Sequence, residues 1–446
     1  MKTVNIGLLG CGTVGGGLVD LLRNNRDLVA RRSGLDLNLR RVLVRDPEKE
    51  RPCDPEIITT SPESILEDPG IDIVVELIGG LDPAGPLLLE AIRSGKNVVT
   101  ANKALLARSG REIFDYALDR KVRVGFEASV CAGIPILRAI SDGLVGNRIL
   151  ALVGILNGTS NFILTRMTEE KCSFADALAT AKARGFAEAD PALDLSGQDA
   201  AAKLKLLSEL AFGIRIENDA FPVRGIEGIE PEDIRSAAEM GFVIKPLAIA
   251  LDLDHSLHLS VHPALLPEKH PLAHIRDEFN SILLRGDAVD EMIFTGKGAG
   301  ALPTASAVLA DIISIAGAAP GETPHEPRPC SRPVSGEVES EYYLRFPIRD
   351  VPGVIGLIST ALGNRGISIS HATARLAEDR PGRGNVKILA HRCGETLLRR
   401  SLDQIARLPI LDGKPVLLPI VNGEPSRPFP FPPPRASPMI DAWHES

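Results

Sequence analysis

The sequence predicts an α/β protein in three parts: a doubly wound parallel sheet, an α+β middle and a small βαββαβ module. Three observations predict it. From Val4 to about Phe126 the short apolar runs "VNIGLL", "LRRVLV", "IDIVVELI", "KNVVTA" and "KVRVGF" alternate with helical stretches, which implies parallel strands with helices on both faces. The first run leads into a glycine-rich strand-to-helix turn. After "PGETPHEPRPCSRPVSGEVES", whose five prolines suit neither a helix nor an interior strand, the pattern restarts at Tyr342 as strand, helix, strand, strand, helix, strand to about Val421.

Taken in order, "NIGLLGCGTVGGGLVDLL" sets Gly10, Gly12 and Gly15 in GxGxxG spacing. The first glycine permits a tight turn, the second lets the backbone approach a pyrophosphate, and the third lets helix and strand pack closely. The helix N-terminus then offers N–H groups and positive potential to phosphates, so the first part reads as a Rossmann-type dinucleotide-binding domain. The second strand should end by selecting the ribose substituent. "RRVLVRDPEKER" offers Arg45, then Asp46, which leans towards the 2′-phosphate of NADP and leaves NAD possible. In "VVTANKALL", Lys103 stands just past an apolar strand, where it can bind phosphate, protonate an alkoxide or sit in solvent.

A strand-like "ILALVGIL" and several amphipathic helices fill the middle up to about Gly300, and "PTASAVLADIISIAGAA" is an apolar helix opened by Pro303. The expected organisation is a dinucleotide-binding domain at 1–135, completed by a helix at 303–320. A catalytic and dimerisation domain follows at 136–302, then a proline-rich linker at 321–340, a regulatory module at 341–421 and a proline-rich tail at 422–446 whose seven prolines favour an extended chain. The linker should hold the module apart from the catalytic body, so that a chain cut after about Pro320 keeps its fold and activity.

Composition narrows the partners. The 446 residues are 44% hydrophobic and 24% charged, ordinary for a globular chain too long for one core. A net charge of −8 leaves no basic footprint for nucleic acid. No apolar run approaches the roughly 20 residues that span a bilayer, and the N-terminus lacks a signal-peptide layout, so a cytoplasmic enzyme of small molecules is expected. Six scattered cysteines form no CxxC and no Cys/His pair at metal spacing, and read as reduced thiols.

The stretch "FAEADPALDLSGQDAAAKLKLL" carries Glu188, Asp190, Asp194 and Asp199 ahead of two lysines. Ser196 with Asp199 three residues on resembles a capping box, so a helix should run through "GQDAAAKLKLLSELAFG". On that helix Lys203 shares a face with Asp199, Ala200, Leu206 and Leu207, an apolar stripe with one carboxylate in reach. Lys205 falls with Ala201, Ala202, Ser208 and Glu209, expected to be a wet face. A buried lysine beside an aspartate is either a structural ion pair or a tuned acid/base.

With these pieces in hand the chain resembles the homoserine dehydrogenases. The matching segments are "GLLGCGTVG", "VVELIGG", "VVTANKALL", "FEASVCAGIPI", "GILNGTSNFILT", "FAEADPALDLSGQDAAAKL" and "GKGAGALPTASAVLADI", in the family's order over about residues 1–320. The resemblance implies reduction of L-aspartate 4-semialdehyde to L-homoserine with a nicotinamide cofactor, for which Arg45 makes NADP(H) the preferred form and NAD(H) a possible one. It implies cofactor contacts from Thr13, Val14, Arg45, Lys103 and the loop from Gly298 to Gly300. Glu188 and Asp199, with Asp194 beside them, would hold the substrate's amino end, and Lys203 and Lys103 are the implied proton donors. A structural monovalent cation, usually sodium, is implied at Glu127, Val130, Ala132 and Ile134, mostly through backbone carbonyls. "YLRFPIRDVPGVIGLISTALGNRGISISH" resembles an ACT domain, with Asp350, Pro352, Gly353 and Asn364, Arg365, Gly366 as landmarks. That resemblance implies feedback control, with L-threonine as the usual effector, and a homodimer or homotetramer.

The chemistry agrees from a separate direction. Hydride transfer to an aldehyde builds negative charge on oxygen, which needs a donor aimed at that atom. The cysteine spacing excludes the usual zinc sets, Tyr116 is followed four positions on by Arg120 rather than lysine, and the catalytic motifs contain no histidine. Lysine remains. A related amino-acid dehydrogenase, a semialdehyde dehydrogenase using Cys131 as nucleophile, and a non-enzymatic amino-acid sensor are the alternatives.

Overall fold

The computed structural model describes residues 1–217, 219–318, 332–334, 337–377 and 381–421. Most of the proline-rich linker and all of the tail from 422 lie outside the described residues. Two sheets carry the molecule. The first is wholly parallel and joins β1 (Lys2–Leu9), β2 (Leu35–Leu43), β3 (Ile58–Thr59), β4 (Ile73–Glu76), β5 (Asn97–Thr100) and β6 (Val124–Gly125) in the order β3-β2-β1-β4-β5-β6. That order reverses between β1 and β4, and a crevice opens beyond the strand ends at such a reversal. The apolar sequence of these strands follows from cover on both faces. The Thr13–Asn24 and Ala301–Gly317 helices close one side, where Leu18, Ala305, Val308 and Ile312 pack against Val4, Ile6 and Leu8. The second of these helices starts at Ala301, two residues ahead of Pro303.

The second sheet contains β7 (Ile149–Ile155), β8 (Phe242–Asp252), β9 (Leu257–Pro267), β10 (Phe279–Gly286), β11 (Asp290–Lys297), β12 (Glu339–Arg349), β13 (Ile369–Leu376), β14 (Arg383–Gly394) and β15 (Val416–Ile420). They lie in the order β11-β10-β7-β8-β9-β15-β12-β14-β13. The middle of the chain is therefore richer in strand than the sequence reading had it. "HLSVHPALLP" and "SILLRG" are buried on both faces, so they show no alternation to betray them.

The module has the expected order, β12, helix Val354–Gly363, β13, β14, helix Glu395–Ile405, β15. It does not stand apart. β15 adds in parallel to β9 through Ile420 and Leu265, making one continuous sheet of module and body. Tyr343, Leu418 and Ile420 enter the same apolar cluster as Phe162, Ile229, Ile234 and Leu265. At the junction Arg345, 2% exposed, meets Asp233, 0% exposed, with Nε 2.7 Å from Oδ1 and Nη2 3.0 Å from Oδ2. The Tyr343 hydroxyl donates to the same carboxylate at 3.0 Å. This interface runs against the expectation of a separable module: a cut after Pro320 would strip a strand from β9 and take away the Arg345 and Tyr343 groups that cover and pair with Asp233.

Candidate active site

Two lysines from different parts of the chain converge on one carboxylate. β5 ends at buried Thr100, whose hydroxyl donates to Glu76 at the end of β4 (2.6 Å). The other Glu76 oxygen accepts the N–H groups of Ile78 (2.8 Å) and Gly79 (3.0 Å), which shapes the loop above the crevice. Asn102 caps the Lys103–Arg120 helix by accepting from the Leu105 N–H and donates to the Gly80 carbonyl at 2.6 Å. Lys103 is thus the first residue of a pinned helix at the carboxyl edge of the sheet, and its Nζ stands 3.0 Å from Asp199 Oδ1.

Lys203 reaches the same carboxylate from within the Gln198–Phe212 helix, one turn on from Asp199. Its Nζ donates to Asp199 Oδ2 at 2.8 Å and to the Leu156 carbonyl at 2.7 Å. The helix covers the predicted span, but its N-cap is Gly197 with a left-handed φ of 85°, and no side chain caps it. Ser196 bonds back to the Leu193 carbonyl instead, so the capping-box reading fails while the phase it gave stands. The expected wet face is also corrected. Lys205 is half-buried and donates to the Ala107 carbonyl of the neighbouring helix (3.1 Å), and Ser208 is fully buried.

Asn157 knits the acidic residues together. Its amide donates to Asp199 Oδ2 (2.8 Å) and Asp194 Oδ1 (2.7 Å), while its carbonyl oxygen caps the Gly158–Glu169 helix through the Ser160 N–H. Thr159 donates to Asp194 Oδ2 at 3.1 Å and to the Phe186 carbonyl at 2.7 Å. Burial alone would raise the Asp199 carboxyl. The ammonium groups of Lys203 and Lys103 and the bonds from Lys203 and Asn157 outweigh it and hold the group well below the ordinary carboxylate range. Burial pulls the Lys203 amine down, but Asp199, Cys131 and Asp194 more than offset this, so it stays charged above the ordinary lysine value. Glu188 is not drawn into the cluster: it is exposed, two residues beyond Phe186, and makes no hydrogen bond among the described residues.

Sequence reasoning missed Asn157, Thr159 and Asn280. Asn280, 1% exposed, donates to the Leu156 carbonyl (3.0 Å) and the Cys131 thiol (3.3 Å). A Cβ on Gly298 would fall 2.1 Å from the Asn280 amide nitrogen, so only glycine lets this loop lie over it. Cys131 is fully buried and burial raises its thiol, the reverse of what a nucleophilic cysteine needs.

The glycine turn matches a dinucleotide cradle. Gly10 has φ 94° and a Cβ there would sit 2.8 Å from the Leu77 carbonyl oxygen, while one on Gly15 would sit 2.4 Å from that of Gly10. Around Gly12, exposed at the helix N-cap, a Cβ would meet nothing within 4 Å, and among the described residues no side chain caps the helix's first N–H groups. Thr13 and half-buried Val14 open the helix, and Arg45 is exposed two residues past β2. Gly300, φ 122°, forms the N-cap of the Ala301–Gly317 helix. Glu127 uses both carboxylate oxygens to accept the N–H groups of Leu137 and Arg138 (2.9 Å each), beside the buried loop of Val130, Ala132 and Ile134 that turns at Cys131 with φ 51°. Among the described residues no group of three or more His, Cys, Asp or Glu side chains is arranged for a metal ion, and no helix is long and apolar enough to cross a membrane.

Known proteins resemble this chain along nearly its whole length. Residues 10–127 match the family model for the homoserine dehydrogenase NAD-binding domain and residues 135–313 the homoserine dehydrogenase model. The chain is 40% identical over 429 residues to a homoserine dehydrogenase of Neisseria gonorrhoeae, covering 94% of this chain and 98% of the relative. The crystal structure of a homoserine dehydrogenase from Thiobacillus denitrificans superposes with a TM-score of 0.87 at 39% identity, covering 94% of this chain and 98% of that one. A hyperthermophilic archaeal homoserine dehydrogenase in complex with NADPH does so with a TM-score of 0.60 at 27% identity, covering 71% of this chain and 98% of that one.

Proposed function

The chain belongs to the homoserine dehydrogenase family of NAD(P)-dependent oxidoreductases, and from that premise we propose how its residues divide the work of reducing L-aspartate 4-semialdehyde to L-homoserine. The meeting of Lys203 and Lys103 on Asp199 carries the reading. When bound, the reduced nicotinamide supplies the hydride. Lys203 then donates a proton to the oxygen that becomes the alkoxide, its ammonium aimed by Leu156 and kept charged by Asp199. Lys103, partly open to solvent, stands on the other side of the same carboxylate as a second donor. Asp199 is already committed to three donors, so its part is to hold the lysines; Asp194 takes bonds from Asn157 and Thr159 and borders the site, and exposed Glu188 is the carboxylate left for the substrate ammonium. Following NADPH consumption with the semialdehyde, in wild type and in Glu188→Gln, tests this: KM for the substrate should rise with little change in kcat, and an unchanged KM removes Glu188 from the site.

The turn of Gly10, Gly12 and Gly15 would hold the pyrophosphate, with Thr13 and Val14 at the helix start and Gly298 and Gly300 near the reacting end. Arg45 would meet a 2′-phosphate, and the archaeal relative's complex with NADPH supports a preference for NADP. Arg45→Ala should raise KM for NADPH far more than for NADH. An unchanged ratio between the two cofactors would take Arg45 out of the site.

A monovalent cation such as sodium would be held at the buried loop of Val130, Ala132 and Ile134 through backbone carbonyls, the oxygen donors that a hard cation takes. Glu127 bonds the N–H groups of Leu137 and Arg138, and burial pushes its carboxyl up to about 7, so a cation beside it would favour its charged form. The module is read as ACT-like and regulatory. The Asp350–Gly353 turn opens onto a hollow lined by Pro352, Leu357, Asn364 and Gln404, and Ile355 and Leu357 beside it are exposed. With the exposed Ile293 on edge strand β11, this supports a homodimer or homotetramer. Millimolar L-threonine should slow the full chain, and Asp350→Ala should relieve it. Absence of inhibition would leave the module a structural role.

A further inference from the structure

Glu76 ends β4 fully buried, where the strand order of the parallel sheet reverses. Among the described residues its carboxylate meets only neutral donors: the Thr100 hydroxyl on Oε2, and the Ile78 and Gly79 N–H groups on Oε1. A charge taken out of water without a counter-charge costs free energy, and an amide would satisfy the same two N–H groups without that cost. What an amide cannot do is accept on both sides. Its nitrogen would face the Thr100 hydroxyl as a donor, whereas the carboxylate takes that proton at 2.6 Å, the length of a bond from a hydroxyl to a charged oxygen.

From Thr100 the bonds run on in a closed ring. The Thr100 oxygen accepts the Asn102 N–H at 3.0 Å, the Asn102 amide donates to the Gly80 carbonyl at 2.6 Å, and Gly80 follows Gly79 back to Glu76. Gly79 and Gly80, at φ 80° and 72°, have the left-handed backbone that wraps this turn around the carboxylate. The turn abuts Gly10, where a Cβ would fall 2.9 Å from the Ile78 nitrogen, so it has little room to shift. At the far side of the ring Asn102 caps the Lys103–Arg120 helix through the Leu105 N–H. The Lys103 side chain is 43% exposed, so its amine is aimed at Asp199 by where its helix starts rather than by packing around it.

We propose that Glu76 is a positioning residue for the proton-donor cluster: through Thr100 and Asn102 its carboxylate fixes the start of the Lys103–Arg120 helix, and with it the approach of the Lys103 amine to Asp199. This rests on the reading of Lys103 as a second donor. A neutral side chain at 76 keeps the turn and loses the aim.

Two near-isosteric substitutions test it. Glu76→Gln keeps an acceptor for the Ile78 and Gly79 N–H groups, and Thr100→Val keeps the shape of the strand end. Each should lower kcat for semialdehyde reduction about tenfold, the value of one hydrogen bond to a charged group, with KM for NADPH within about twofold of wild type. The double variant should lose no more than either alone, and in a Lys103→Met background neither should lower kcat further. A merely structural loss would add in both cases. Amide exchange read by mass spectrometry needs no substrate: it should quicken over residues 102–106 in both variants and hold over 78–80 in Glu76→Gln. A wild-type kcat in Glu76→Gln while Lys103→Met lowers it, additive losses, or unaltered exchange over 102–106 would each overturn the proposal. If Lys103→Met itself leaves kcat unchanged, the donor role of Lys103 falls instead, and the exchange measurement still decides whether Glu76 sets the cap.

Discussion

Lys203→Met is expected to lower turnover by about 10² to 10⁴, the span of general acid catalysis, while leaving the protein folded. Folding should survive because Asp199 keeps Lys103 at 3.0 Å and Asn157 at 2.8 Å as partners, so no buried charge is stranded. Lys205→Met, on the same helix, should leave kcat almost unchanged, since its amine faces the Ala107 carbonyl away from the cluster. The pH profile adds a readout that packing would not move. The proton-bearing form of Lys203 is the active one for reduction, and its pKa is held above the ordinary lysine value of about 10.4. The wild-type reduction rate should therefore hold level through neutral pH on this group's account and fall only in the alkaline range. Equal losses in the two lysine variants, or an alkaline fall unchanged by Lys203→Met, would assign the proton to another donor.

The second large effect is expected far from the chemistry. Arg345→Met should cost about 3–5 kcal/mol, because it leaves the fully buried Asp233 carboxylate with the Tyr343 hydroxyl and the Glu230 backbone N–H but no counter-charge. Chemical denaturation followed by far-UV circular dichroism should show a lower midpoint, and for a single cooperative unit the slope should hold. Adding Asp233→Asn to Arg345→Met should return part of the loss, since the stranded charge is then gone. A near-wild-type midpoint in the single variant would show that module and body are not energetically joined, and would restore the separable module that the linker suggests.

The parts of this site that were legible in the sequence are those that depend on local geometry. Asp199 and Lys203 are four apart, and the helical period alone puts them on one face with Leu206 and Leu207. Gly10, Gly12 and Gly15 are legible because a strand-to-helix turn around a pyrophosphate tolerates little else. Lys103 follows an apolar strand, and a strand's carboxyl end points at the crevice. What was not legible is long-range. Asn280 lies 124 residues from the Leu156 carbonyl it bonds, and Asn157 lies 37 and 42 residues from the two aspartates it ties together. Nothing local marks either as different from a capping or strand residue. The docking of the module failed for a related reason. Proline content describes the connection, whereas Arg345 and Asp233, 112 residues apart, decide where its far end settles. The face of Lys205 was misjudged because a charged pair on a helix reads as solvated until a second helix is laid over it.

The Leu156 carbonyl, which receives both the Lys203 ammonium and the Asn280 amide, has a consequence for how this enzyme can change over generations. The atom that aims the proton donor belongs to the main chain just past the end of β7, so every residue that position can encode provides it equally. Drift at 156 can alter the apolar packing around the strand without turning the lysine away. The orientation of the acid is therefore inherited through the course of the backbone, and a point mutation can redirect it only by moving the strand itself.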